Sequence, residues 1–129
     1  MISKELLSVV INKKIVADDI NNIELKENTI TFIEDYWDED EGSGFYRSHT
    51  INIYELAHKC KELAYSQGYI ISSGLTPVLG VNKDGWAEVF SSSTPLEGKL
   101  NTFKQLSEPE AVFKAAQWIL DNVKTNSLP

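Results

Sequence analysis

Glu55 and His58 stand three residues apart in ELAHKC, the helical spacing by which di-iron carboxylate centres aim two ligands at one metal. Such a centre needs two of these motifs and two further glutamates on neighbouring helices. This chain supplies one motif, set off the apolar stripe of its segment, so it reads as solvated helix surface and no metal is expected. His58 and Cys60 cannot share an ion either, because two residues along a helix lie roughly 200° apart at ~100° per residue. Cys60 falls within the apolar stripe, where a free thiol acts as a small hydrophobe with its pKa raised by burial. A nucleophilic cysteine needs a base beside it, and His49 is the one other histidine. The G-x-S-x-G elbow of a serine hydrolase is absent, and Ser91-Ser92-Ser93-Thr94 reads as a polar loop. Gly42-Ser43-Gly44 lacks the helix start that a phosphate cradle requires, and its acidic neighbours would repel phosphate. No catalytic residue, cofactor or metal ligand emerges.

One segment does concentrate recognisable chemistry. Glu34, Asp35, Asp38, Glu39, Asp40 and Glu41 fall within eight residues, with Tyr36 and Trp37 among them. Tryptophan and tyrosine anchor protein interfaces, and flanking charge steers encounter with an oppositely charged surface. These eight residues are the candidate partner-binding site, and their partner would be basic. The plainer alternative is a solvated hairpin extension with Trp37 folded back onto the core. Calcium is disfavoured, since the spacing lacks the EF-hand pattern.

Composition narrows the classes further. The net charge of −7 and a single arginine, Arg47, argue against direct nucleic-acid binding, whose affinity comes from basic residues neutralising phosphates. They argue equally against adsorption to an anionic membrane. No apolar run approaches the ~18 residues that span a bilayer, and MISKELLSVVINKK is too interrupted by charge for a secretory signal. One cysteine permits no internal disulfide, so a cytoplasmic setting is expected. A length of 129 residues suits a single domain, 1–129.

The elements that must position these residues are legible in outline. Ser3 caps a short helix that fades by Asn12-Lys13-Lys14, with Ile2 and Leu7 as a hydrophobic staple. Ile15 to Ile20 reads as a connection. Period-two alternation gives a hairpin at about 22–35, turning at Glu27-Asn28, with Ile23, Leu25, Ile30 and Phe32 inward. The charges and glycines after it read as a loop tip, and Phe45 to Ile51 as a third strand. Asn52 then caps an amphipathic helix whose inner face is Ile53, Leu56, Ala57, Cys60, Leu63 and Ala64, ended by Gly68. Tyr69 to Leu75 is a strand broken by Thr76-Pro77. Strands at 78–81 and 86–90 flank Asn82-Lys83-Asp84-Gly85, which reads as a second hairpin turn with Gly85 left-handed. Ser91 to Leu106 is a long loop or hides an edge strand near 99–103. Ser107-Glu-Pro-Glu110 caps a last helix with Val112, Ala115, Ala116, Ile119 and Val123 inward.

ELAHKCKELAYSQGY (55–69) and EPEAVFKAAQWIL (108–120) resemble a pattern in short uncharacterised bacterial and prophage open reading frames. The resemblance covers the two long helices, less than a third of the chain, and implies a phage or mobile-element origin without implying an activity. The expected fold is α+β, order α-βββ-α-βββ-α, a single antiparallel sheet with two long helices on one face. The expected function is a non-enzymatic cytoplasmic protein-binding module, an inhibitor or decoy acting on a basic partner. Two alternatives stay open. One is a small-molecule site or weak enzyme between the sheet and the 91–106 loop, lined by Trp86, Tyr69 and His49. The other is an obligate homodimer pairing through a sheet edge or through the Trp118 side of the last helix.

Overall fold

The computed structural model describes residues 2–16, 24–26, 28–77 and 83–127. Ser3 opens the first helix, α1 (Lys4–Ile11), by accepting a 3.1 Å bond from the Leu6 amide. Ile2 and Leu7 are both buried, as the staple requires. Asn12 ends α1 in the left-handed conformation, φ 55°. The chain then crosses the first sheet: Ile15 pairs antiparallel with Glu34, and the Val16 and Asp35 amides donate to Ile33 O and Lys14 O.

That sheet is antiparallel, with β2 (Thr29–Asp38) between β1 (Glu24–Lys26) and β3 (Ser43–Asn52). Asn28 makes the first turn at φ 65°, as expected of asparagine there. Ile30 and Phe32 are buried as expected; Ile23 and the Leu25 side chain lie outside the described residues. The loop expected from Glu34 onward is corrected. β2 and β3 keep register through ten consecutive pairs, from Thr29↔Asn52 to Asp38↔Ser43. The acids do not break the strand because Tyr36 and Trp37, residues well suited to a pleated surface, stand between Asp35 and Asp38.

Asn52 is the last residue of β3 and also the cap of α2 (Ile53–Ser66), its Oδ1 accepting from Tyr54 N and Glu55 N. Gly68, at φ 91°, turns the chain into β4 (Tyr69–Pro77). β5 (Lys83–Ser91), a 3₁₀ turn at Pro95–Glu97 and β6 (Asn101–Gln105) follow, and β4-β5-β6 form a second antiparallel sheet. The described elements run α-βββ-α-βββ-α with β6 as the last strand of the second trio, but a single sheet is wrong: among the described residues each trio closes its ladders within itself. Short turns make local pairing cheap in loop entropy, and period-two patterning says nothing about which outer edges meet.

Two local expectations also change. Gly85 is not a turn residue: it lies buried inside β5, paired with Leu75. A Cβ there would sit 2.0–2.2 Å from the Ser107–Glu108 backbone, so the glycine admits the chain entering the last helix. The strand expected at 78–81 and the turn at Asn82 lie outside the described residues, while Pro77 ends β4 opposite Lys83. The 91–106 stretch holds β6, two residues later than expected, paired to β5 from Asn101↔Val89 to Gln105↔Gly85.

The last helix, α3 (Glu108–Ser127), starts on Ser107 Oγ, which accepts from the Glu110 amide at 3.3 Å. Val112, Ala115, Ala116 and Ile119 are buried, and Val123 packs at the margin. α2 and α3 pack on each other and on the second sheet, and α1 joins them through the Glu5–Lys124 ion pair. Leu6, Leu7, Ile30, Leu56, Cys60, Val89 and Ile119 belong to one continuous core. Each large side chain there contributes about 1.5–3 kcal/mol through burial. No helix among the described residues is long and apolar enough to cross a membrane.

Candidate functional site

The acidic segment is an arm with an anchored root. Period two sends Ile30, Phe32 and Glu34 to the same face of β2, so Glu34 enters the margin of the core at 7 % exposure. There His49 Nε2 donates to its Oε1 at 2.7 Å, and the Lys13 ammonium lies 3.5 Å from Oε2. Burial alone would raise the Glu34 pKa. The His49 hydrogen bond and the charges of Lys13 and His49 outweigh burial and hold the carboxyl below its ordinary value. Phe32 stacks on the imidazole with centroids 5.3 Å apart. Glu34 is therefore an anchor and is withdrawn from the exposed set. Asp35 faces the other side, beside Lys14 at 3.4 Å.

Beyond Glu34 and its partner Arg47 the hairpin continues for four residue pairs, about 14 Å at ~3.4 Å per residue. Its two faces differ. On one, Tyr36 meets Phe45 at 4.9 Å, and the Arg47 guanidinium carbon lies 3.6 Å above the Tyr36 ring. On the other, Trp37 lies against Gly44, and Tyr46 is its diagonal neighbour. Trp37 is 61 % exposed and Tyr46 70 % exposed, so Trp37 does not fold back onto the core. The tip is closed by Asp38, whose carboxylate accepts from the Asp40 and Glu41 amides, and by Gly42 at φ 64°. Glu39, Asp40 and Glu41 are exposed, and no basic group pairs with them among the described residues.

Of the eight candidate residues, the structure brings Asp35, Tyr36, Trp37, Asp38, Glu39, Asp40 and Glu41 onto the projecting arm, Asp35 at its base beside Lys14. Sequence reasoning missed Phe45, Tyr46 and Arg47. A turn centred on Asp40-Glu41 would have placed Tyr36 opposite Phe45 and Arg47 beside both. The alternative lining does not converge. Tyr69 packs edge-on against Trp118 of α3, Trp86 lies over Gly74 on the opposite face, and His49 belongs to the other sheet.

The remaining chemistry is quiet. Cys60 is fully buried and its thiol is pushed up to about 12 by burial. His58 is exposed and pairs with Glu62 one turn on, and no metal-holding cluster occurs among the described residues. The cleft between α2 and the start of α3 measures about 210 Å³, and a more open one beside Asp84, Lys104, Gln105 and Leu106 measures about 310 Å³, the lower end of the ~300–1,000 Å³ of small-molecule sites. No family model, no curated protein and no solved structure matches the chain.

Proposed function

We propose that the chain is a non-enzymatic protein-binding module that grips a basic partner protein with the β2–β3 arm. In its sharper form it is an acidic inhibitor or decoy that occupies a surface meant for nucleic acid, in a cytoplasmic setting and of phage or mobile-element origin. The observation that supports this is the arm itself: an acidic tip and exposed aromatics carried beyond the core. Aromatic residues and arginine are enriched at interfaces, and a rigid strand pair presents them at small entropic cost. Acidic residues at the tip would speed encounter with a positive surface.

The test is capture from a lysate of the source organism, read by mass spectrometry. Wild type is compared with Trp37→Ala combined with Asp38→Asn, Glu39→Gln, Asp40→Asn and Glu41→Gln. One basic protein retained by wild type and lost by the variant, with unchanged circular dichroism, is the expected result. Equal recovery by both chains would sink the reading.

A further inference from the structure

The arm has a second recognition element besides its side chains, the outer edge of β3. Adjacent residues of an antiparallel strand turn their backbone groups to opposite sides. The Ile53 amide donates to Asn28 O, while Ile33 O and the Asp35 amide bond the Lys14–Val16 segment. Residues 43, 45, 47, 49 and 51 therefore face β2, and Gly44, Tyr46, Ser48 and Thr50 aim their amides and carbonyls away from it. Among the described residues no strand pairs with that edge. Natural edges are defended by lysine, proline or bulges. This one, SGFYRSHTIN, has no lysine and no proline, and its register is unbroken. Its one arginine, Arg47, is folded over Tyr36 and Phe45, and its one histidine, His49, is engaged by Glu34.

We propose, resting on the arm-binding reading above, that the partner contributes an extended arginine- or lysine-bearing polypeptide segment that adds as a fourth strand along the outer edge of β3. Charge complementarity selects this occupant. Asp38, Glu39, Asp40 and Glu41 crowd the end of the edge, and the chain carries −7 overall. A second acidic copy is disfavoured on charge. The arm also displays the contact it offers, since Arg47 on Tyr36 shows one aromatic face holding a guanidinium. Trp37 and Tyr46 offer the opposite face, and no cation covers it among the described residues. An added strand places alternate side chains beside Tyr46, within reach of Trp37, while its backbone satisfies the four outward positions.

The probe is a ten-residue peptide alternating arginine and valine, titrated against the full chain and followed by anisotropy and amide exchange. The edge is blocked by Ser48→Pro, which removes an outward N–H and leaves the β2 ladder intact; Ser48→Ala is its control. Expected are slowed exchange at the Gly44, Tyr46, Ser48 and Thr50 amides, at least tenfold weaker binding by Ser48→Pro, and unchanged binding by Ser48→Ala. The Asp38→Asn, Glu39→Gln, Asp40→Asn, Glu41→Gln variant should bind more weakly and with a flatter salt dependence. Binding lost by that variant but untouched by Ser48→Pro overturns the edge proposal and leaves the arm reading standing. Binding that neither change affects, or no binding at all, overturns the edge proposal, while the lysate capture judges the arm reading separately. Light scattering that shows a dimer of the chain alone, dissociated by Ser48→Pro, gives the edge to a second copy and also overturns the proposal. Should the circular dichroism of Ser48→Pro change, a peptide-side block replaces it: N-methylating alternate residues of the probe must abolish binding, and retained binding overturns the proposal.

Discussion

Glu34 and Cys60 are buried ionisable groups with opposite consequences for stability. Glu34 is held below its ordinary 4.5, so its contribution is complete above that value and is lost as pH falls through the lower folded pKa. Glu34→Gln should cost about 1–3 kcal/mol at pH 7, the worth of a charge-assisted bond. The difference from wild type should vanish toward pH 2, and urea midpoints measured across the acid range check it. Cys60 behaves the other way. Its thiol ionises near 9.0 when unfolded and at about 12 when folded, so its contribution is lost as pH rises between those values. The loss is about 1.4 kcal/mol per pH unit. Wild type should therefore destabilise more steeply than Cys60→Ala between pH 9 and 11. At neutral pH the native thiol should resist alkylating reagents that modify it readily in urea. The placement of Cys60 was legible from its stripe. The burial of Glu34 was not, because a charge run looks solvated until the register reveals a histidine and a lysine around one of its members.

At the scale of the element, caps and turns were read from local chemistry and the strands' real extents were not. Ser3, Asn52 and Ser107 all cap as their residue types demand, each accepting a backbone bond. Gly85 is the contrary case. Its turn-like neighbours Lys83-Asp84 suggested a hairpin tip, but what requires glycine is a backbone twenty-two residues away, at Ser107. Proximity of that kind is set by packing and leaves no periodic trace. Gly85→Ala should cost about 1–3 kcal/mol by overpacking against the start of α3, seen as a lower urea midpoint at unchanged slope. Alanine at Gly42, where a Cβ meets open space but φ is 64°, should cost about 1 kcal/mol from backbone strain alone.

At the scale of the molecule, both described sheets and the helices α1, α2 and α3 share one core, and the distal arm stands outside it. Replacing residues 37–44 with Asn-Gly would keep Tyr36 opposite Phe45 and close the hairpin with a two-residue turn. That chain should melt within about 4 °C of wild type, the shift expected of ~1 kcal/mol, because Trp37 and the acids contribute little to the core. Heat-scanning calorimetry decides it. A collapse of the transition would mean that the arm is a folding element. Pattern alone distinguished α+β from other classes because helical and strand periods differ. It could not assign edges to sheets, since the residues that would meet there look the same whether paired or wet.

Asn52 belongs to a strand and to a helix cap at once, with no residue left over to act as a joint. The arm is thus a lever rather than a tether. A load applied at Trp37 is delivered along β3 into the first turn of α2, where Ile53 and Leu56 are locked in the core. A partner seated on the tip would find its distance and bearing from the rest of the molecule already set, as a gauge block sets a spacing.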